Sequence, residues 1–539
     1  MSGPRPFIRA LGSQPGVQLN YIKDETDGVV PDTSDQVVAM AARLTRGRID
    51  RAFRVDTSNF ALKTGPAASI RSNALNEAKL QGYESLKAGA QALVIARMTP
   101  AAAAKSYVLV DLESNATTFT VASAVPADGY TLAIMDHECL NDGIIVAVHG
   151  EQTPVGGIPV VNDVLTLRIS DSTGVLRYEF TGSVDPESTD DFGQSNYLPD
   201  VIAALTDNIE VVVLDGSAGV ITTSDAYGRG TDGKDKWATS GVLTCFTEGG
   251  TIYTAADYDR FIDMLRSTML PFGYLISGGT PVVSFLGKLG ALGKEINVPF
   301  KWDIPGTMTP EEAIAFGLSV GFDDHYPNCF WAPLRADDPM NGGKAIWGTA
   351  GLNAGLSCAR NAAVNAKGFA PKNQPVAGRN FPVTRTGISQ TYRPSDMELS
   401  DLAKSQINPV IFKNFNGGGR YVFTDCLTGA KTQVSYKKLA TVAEMSASID
   451  AWVAMYANEL LMSPMKAFIK KMNAFLETLF EGAETSEWLV KSKNLDGNAA
   501  FAFSVRPSEV RPADLVLIEY WLSYDGVARQ VIIQQNLTR

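Results

Sequence analysis

Apolar positions recur along this chain in different rhythms, and each change of rhythm marks a new part. From 36 to 44 the pattern is that of a strand. Leu75, Ala78, Gly82 and Leu86 then recur at helical spacing, and the apolar run 90–96 reads as a buried strand closed by Met98-Thr99-Pro100. From 107 to 205 the elements become short and strand-like: 107–110, 119–121, 144–148, 164–168 and 176–180, parted by turns such as Asp128-Gly129 and Ser172-Thr173-Gly174. Between 207 and 333 helices and strands alternate again. Tyr258, Phe261, Ile262 and Leu265 form one helical face, 272–276 a strand and 282–292 a helix, and Thr309-Pro310-Glu311-Glu312 starts another helix.

The stretch 341–392 is rich in Gly, Ala, Asn and Pro and is expected to be irregular. After it come a short helix near 399–402 and an extended run, 407–411. Two helices with apolar stripes follow: Val442, Met445, Ile449, Trp452, Val453 and Tyr456, then Met465, Phe468, Ile469, Met472, Phe475, Leu476, Leu479 and Phe480. The run 515–522 is rich in β-branched and aromatic residues. Asp525-Gly526 signals a hairpin into a last strand, 527–537, with Val527, Arg529, Val531, Ile533, Gln535 and Leu537 on one face. No Pro or Lys blunts that strand, so it is expected either to pair with another copy of the chain or to form an ordinary edge of its own sheet.

These patterns predict an α/β (α+β) multidomain protein: a split αβ domain with an inserted β-rich domain and a C-terminal αβ assembly domain, with extended terminal arms. The expected divisions are an arm at 1–22, the first αβ part at 23–105, the β insertion at 106–205, the second αβ part with the irregular stretch at 206–392, the assembly domain at 393–526 and a linking strand at 527–539. In the arm, Pro4, Pro6 and Pro15 exclude a helix around the apolar pairs Phe7-Ile8 and Val17…Leu19.

Composition narrows the function. A chain of 539 residues is too long for one core. Its net charge of −11 is spread out with no basic stripe, so nucleic acid is not an expected direct partner. Five arginines at 43, 46, 48, 51 and 54 could suggest phosphate binding, but the interspersed Asp50 and Asp56 favour an ion-paired surface. No secretory signal, membrane insertion or disulfide framework is expected. Asp136-His137-Glu138-Cys139 has metal-type side chains, yet neighbours on a strand point to opposite faces. Phe415-Asn416-Gly417-Gly418-Gly419-Arg420 lacks the end of a phosphate loop. No catalytic constellation, metal site or cofactor site emerges, and a structural protein is expected instead of an enzyme.

Several blocks, in order, resemble the contractile tail sheath family of bacteriophages (the myovirus-type tail sheath) and related injection machines. They are Pro15-Gly16-Val17, Phe53-Arg54-Val55-Asp56-Thr57-Ser58-Asn59-Phe60, the helix–strand from Tyr83 to Met98, Tyr326-Pro327 with Trp331-Ala332-Pro333, the Gly/Ala-rich 348–367 with Ala370-Pro371, Ile407-Asn408-Pro409-Val410 and Gly417-Gly418-Gly419-Arg420. Tyr436-Lys437-Lys438-Leu439 stands where the family shows two arginines, so a bidentate contact of those arginines does not carry over. The resemblance implies a homo-oligomer of stacked rings or a helical array around a tail tube protein, bounded by baseplate and tail terminator proteins. It implies a place in the virion tail after assembly in the host bacterial cytoplasm. It also implies contraction from a metastable extended state, with the arms lent to neighbours: Phe7, Ile8, Val17 and Leu19 at one end and 527–537 at the other. Lys466, Lys470 and Lys471 on the second C-terminal helix are the candidate tube contacts, against a merely solvated face. The alternatives are the sheath of a bacterial contractile injection system or bacteriocin, and an αβ-fold enzyme.

Overall fold

The run Val37-Val38-Ala39-Met40-Ala41-Ala42 has no polar face, so as a strand it needs a sheet covered on both sides. The computed structural model, which describes residues 34–112, 117–155, 158–190, 192–214, 228–229, 235–432, 434–532 and 534–535, gives it that place. It is β1 (Val37–Ala42), buried along its whole length in an eight-stranded sheet. The arm residues Phe7, Ile8, Val17 and Leu19, and Ile533 and Leu537 at the other end, lie outside the described residues.

The first αβ part contributes β2 (Phe53–Val55), the short helix α1 (Phe60–Thr64), α2 (Glu77–Ala88) and β3 (Ala92–Arg97). The β-rich insertion follows with β4 (Tyr107–Asp111), β5 (Thr118–Ala122), β6 (Leu132–Asp136), β7 (Ile144–Val155), β8 (Ile158–Asp171), β9 (Leu176–Ser183), α3 (Leu198–Leu205), β10 (Ile209–Val213) and β11 (Ala238–Thr239). The chain then returns with α4 (Ala255–Arg266), β12 (Tyr274–Ile276), α5 (Val283–Glu295), β13 (Phe300–Ile304), α6 (Pro310–Val320), β14 (Pro327–Trp331), α7 (Ala350–Asn361), α8 (Asp396–Lys404), β15 (Ile407–Phe415) and β16 (Gly418–Phe423). The main sheet runs β2-β3-β1-β12-β13-β14-β15-β16, parallel from β3 to β15 with an antiparallel strand at each edge.

Both faces of this sheet are covered. Val37, Ala39 and Ala41 join one core with Phe261, Phe285 and Leu289 of α4 and α5, whereas Val38, Met40 and Ala42 join another with Leu86 of α2 and Cys358 of α7. The helix α7 corrects the expectation of an irregular 341–392. Its sequence Ala-Gly-Leu-Asn-Ala-Gly-Leu-Ser-Cys-Ala-Arg-Asn is rich in small residues and nearly all buried, and its polar stripe, Asn353, Ser357, Arg360 and Asn361, turns to buried partners instead of water. The glycines let it lie close on α2: a Cβ at Gly351 would meet the Gln81 carbonyl at 2.5 Å, and one at Gly355 the Ser85 carbonyl at 2.4 Å.

The position of α7 is set by polar residues on β13, which the sequence pattern had not marked as a strand. Asp303 Oδ1 accepts from the amides of Thr349 and Ala350 at the start of α7, at 2.6 and 3.0 Å. Lys301 Nζ donates to Asn353 Oδ1 and Ser357 Oγ at 2.8 and 2.6 Å. Beside Asp303 lies Glu77 of α2, and Gln81 Nε2 donates to both carboxyls at 2.8 and 2.9 Å.

The insertion has two four-stranded sheets, β9-β8-β7-β11 and β10-β6-β4-β5, around one core. It extends to Cys245, past the boundary expected at 205, because β10 and β11 complete its two sheets. The arginines after β1 fasten it to the main sheet. Arg46 pairs with Asp142 and Asp171, Arg48 with Asp50 and Asp207, Arg51 with Asp207 and Arg43 with Glu248. Arg97 at the end of β3 donates to the Gly47 and Cys139 carbonyls at 2.6 and 2.7 Å. Of the possible metal run, Asp136 accepts from the Glu138 amide and Glu138 pairs with Arg177, which itself donates to the Leu62 carbonyl across the junction.

The last unit has α9 (Ala440–Glu459), α10 (Met465–Thr485), β17 (Phe501–Pro507) and β18 (Val516–Leu522) around its own core. It is tied to the main sheet by the buried Glu444 of α9, which pairs with Arg360 of α7 and, at 3.4 Å, with Lys301 of β13. Burial alone would raise the Glu444 carboxyl, but the charges of Arg360 and Lys301 outweigh it and hold it down to about 2.

Glu77 has the opposite balance. Burial, then the nearby Asp303 carboxylate, push it up to about 8, against the weaker pull of the Gly348 amide, Gln81 and Arg385; burial likewise raises Asp303 to about 6. The folded chain therefore favours a protonated Glu77, whereas the unfolded chain ionises it above its ordinary value. The stability this contributes is complete below about pH 4.5 and is lost as pH rises towards 8, on the order of 5 kcal/mol in all. Urea midpoints at pH 5, 7 and 9 are expected to fall for the natural chain and to fall much less for Glu77→Gln; equal pH slopes would show that the carboxyl is not held neutral.

Candidate assembly interface

Helix α10 is amphipathic because its apolar residues recur every three or four positions, and Phe468, Met472, Leu476 and Phe480 are buried against α9 and the terminal strands. Phe480 is the pivot. Its ring lies 5.4, 5.8 and 5.6 Å from those of Phe501, Phe503 and Tyr520, centre to centre. β17 and β18 pair antiparallel, Phe501 opposite Leu522 and Pro507 opposite Val516. Alternation puts Val516, Ile518, Tyr520 and Leu522 towards α10, and Tyr520 Oη donates to the Asp450 carboxylate of α9. Leu517 and Trp521 face out, Trp521 being 52 % exposed.

The hairpin expected across Asp525-Gly526 is not formed. The partner of 516–522 is the preceding segment 501–507, and Gly526 lacks the positive φ that a two-residue hairpin turn of the Asp-Gly type requires. Residues 527–532 form no strand; they continue past the hairpin along the body. Val527 packs on the unit's core and Arg529 forks onto Asp425, so both are engaged within their own chain. Val531 and Ile532 just beyond are 77 % and 96 % exposed. Gln535, the remaining described member of the expected face, is also exposed and outside any strand.

Among the described residues, then, β17 and β18 form a sheet of two strands only. Each presents one outer row of backbone N–H and C=O groups that meets no other described strand, and a two-stranded ribbon is marginal in water by itself. The sequence signal for β17 was its alternating Phe501, Phe503 and Val505, masked by Pro507 and Pro512 nearby.

Lys466, Lys470 and Lys471 are exposed on the N-terminal half of α10, while Glu477 and Glu481 are exposed on its C-terminal half. This order runs against the helix macrodipole, a cost of about 0.3–1 kcal/mol for each charge near a helix end. Lys437, in the turn before α9, is likewise exposed, and Lys438 beside it is half-buried.

No group of three metal-ligating side chains gathers among the described residues, and no helix there is long and apolar enough to cross a membrane. A cleft of 650 Å³ lies between α9 and the amino ends of the parallel strands, lined by Tyr274, Asn297, Tyr326, Lys372 and Glu444 among others. Ligands of open parallel sheets bind at the opposite, carboxyl ends. In this chain the Glu77–Asp303 contact fills that end of β13.

No protein-family model matches the chain, and no curated protein matches its sequence. Solved structures do. A sheath tail protein from Desulfitobacterium hafniense aligns over 94 % of this chain and 100 % of its own, at 10 % identity and a TM-score of 0.47. The chain is similar to contractile-sheath proteins. The sheath complex of an extracellular contractile injection system in its contracted state aligns over 52 % of this chain and 74 % of its own, at 14 % identity and a TM-score of 0.41. A chain of the anti-feeding prophage baseplate aligns over 56 % and 78 %, at 13 % identity and a TM-score of 0.41.

Phe480→Ala is expected to cost about 3–5 kcal/mol. It should also loosen the hairpin, so that amide exchange quickens across 501–507 and 516–522 while the main sheet stays protected. Unchanged protection of the hairpin would mean that Phe480 does not seat it.

Proposed function

We propose that this chain is the structural subunit of a contractile tail sheath, a protein that works by assembly and not by catalysis. It polymerises around a tail tube and shortens from a metastable extended state, driving the tube through the host envelope for genome ejection. The observation that carries this reading is the terminal hairpin. Its two strands are seated on a well-packed helix pair, its outer edges meet no described strand, and the chain leaves beside it with Val531 and Ile532 exposed. An edge of this kind accepts a strand by backbone bonding, and a neighbouring copy supplies the strand. Five ladder bonds at about 0.5–1.5 kcal/mol each tie neighbours by several kcal/mol. Such ties survive while side-chain interfaces are exchanged, so the energy for shortening is the difference between two packings and needs no nucleotide. The same reading covers the sheath of an injection or bacteriocin particle, which differs in cargo and not in this mechanism.

Lys466, Lys470 and Lys471 are the proposed contacts to the tube. Their placement against the macrodipole is understandable if an acidic partner surface compensates it.

Two outcomes test the proposal. Electron microscopy of the purified full chain is expected to show tubes or rings, and removal of residues 530–539 should abolish them while the fold melts within about 2 °C of the parent; a dispersed monomer at every concentration would end the reading. Reversing Lys466, Lys470 and Lys471 to Glu should leave self-assembly intact but weaken co-assembly with tubes by tenfold or more, most strongly at low salt. Co-assembly unchanged by the reversal would remove the lysines from the tube contact.

A further inference from the structure

The glycine-rich run 415–420 is the turn between β15 and β16. β15 pairs with β14 over 407–409 and with β16 from 410 onward, so the hairpin runs on beyond the parallel sheet. Its register sets Lys413 directly opposite Arg420, and like charges so placed repel. Arg379 joins them: Arg420 Nη1 donates to its carbonyl at 3.5 Å, and a Cβ at Gly417 would meet its Nη2 at 3.5 Å. All three cations are exposed, and among the described residues no carboxylate pairs with any of them. Phe412 lies beside them, 45 % exposed, its ring edge-on to Tyr421 at 5.3 Å between centres. Glycine is needed at 419 because a Cβ there would run into that ring. A chain of net charge −11 thus keeps three uncompensated cations around an aromatic ring.

The complementary surface is on the insertion. Between β9 and α3 the chain turns back at 189–195, where Thr189 and Ser195 bridge and Asp190 Oδ1 accepts from the amides of Phe192 and Gln194 at 2.9 and 2.8 Å. Braced in this way, Phe192 stands 89 % exposed, the barest aromatic side chain among the described residues. Glu187 and Asp190 beside it are exposed too, and the sequence from 178 to 228 has no Lys or Arg.

We infer that the β15–β16 hairpin of one copy receives the 187–192 tip of a second copy, Phe192 against Phe412 and the two carboxylates against Arg379, Lys413 and Arg420. The inference rests on the proposed sheath reading for there being a second copy to meet. The match between the two patches is independent of it. One patch is on the insertion and the other at the far edge of the main sheet, so the contact is heterologous. Each copy offers its tip to one neighbour and its hairpin to another, the kind of contact that closes into rings or continues into a helix. The aromatic pair supplies apolar area, and the charges decide which face is met. Arriving carboxylates also relieve the repulsion between Lys413 and Arg420.

The test uses the full chain, with sedimentation followed against concentration at low salt. Lys413→Glu with Arg420→Glu is expected to raise the concentration at which the chain associates by about tenfold or more, and adding Glu187→Lys should bring it part of the way back. Asp190 is left in place because it braces the turn. Phe192→Cys with Asn414→Cys should form a covalent ladder of subunits under mild oxidation, with no ladder from either substitution alone. Association unchanged by the reversal, without a ladder, would overturn the contact; tubes that still form would then leave the sheath reading standing. Association lost on reversal and regained with Glu187→Lys, in a chain that never forms tubes or rings, would uphold the contact and remove the sheath reading. A chain that stays monomeric throughout would end both. If the reversal instead abolished binding to a DNA duplex and left association unchanged, the cations would belong to nucleic acid and the contact would fall.

Discussion

A sheet buried on both faces gives a charge no water to turn to, and this chain nevertheless carries charges inside it. Lys301 and Asp303 sit on the central strand 300–304, each fully enclosed, and they are tolerated because α7 and α9 supply their partners. That requirement organises the molecule. Asp303 holds the first amides of α7, Lys301 holds the middle of α7 and reaches Glu444, and Glu444 brings the C-terminal unit onto the sheet. Loss of one member leaves another charge buried and unpaired, which costs about 3–5 kcal/mol in such sites. Apolar packing alone would hold these layers together with less control over register.

The two attachments to the main sheet differ in kind. The insertion is joined at the carboxyl ends of β1 and β3 by arginine pairs that range from the buried Arg46–Asp171 to the exposed Arg51–Asp207. The C-terminal unit is joined at the amino ends by a cluster that is almost wholly buried. Exposed pairs contribute little each and are screened by salt. Buried pairs fix geometry. The proposed assembly role uses this contrast: the unit bearing the open hairpin is the one welded to the body, so strain at the hairpin edge moves the body as a whole.

Much of the architecture was legible because it rests on short-range rules. The strand 37–42 announces itself by its unbroken apolar run and the helix at 258–265 by its period, Thr309-Pro310-Glu311-Glu312 fixes a helix start, and the stripes of α9 and α10 give two buried faces. Of the local pairing expected for the five arginines only Arg48–Asp50 forms among the described residues; Arg46 and Arg48 are buried, and their other acidic partners, Asp142, Asp171 and Asp207, come from the insertion. What a window of residues cannot supply is the identity of a partner distant in sequence. Helix α7 reads as irregular because it is rich in small residues and its polar stripe, Asn353, Ser357 and Arg360, is buried against partners distant in sequence. Strand 300–304 alternates Lys and Asp with apolar residues and so imitates a half-exposed strand.

The terminal segment shows the same division most clearly. Sequence alone determined that 515–522 is a strand and that α10 has one apolar face. Only the tertiary structure decided which strand 516–522 pairs with, that Val527 and Arg529 stay with their own body, and that Glu444 is a charge and not a surface carboxylate. The physical reason is that periodicity records which face is wet, whereas strand pairing and buried ion pairs depend on what the rest of the chain brings within 3 Å, and that is settled only when the layers close.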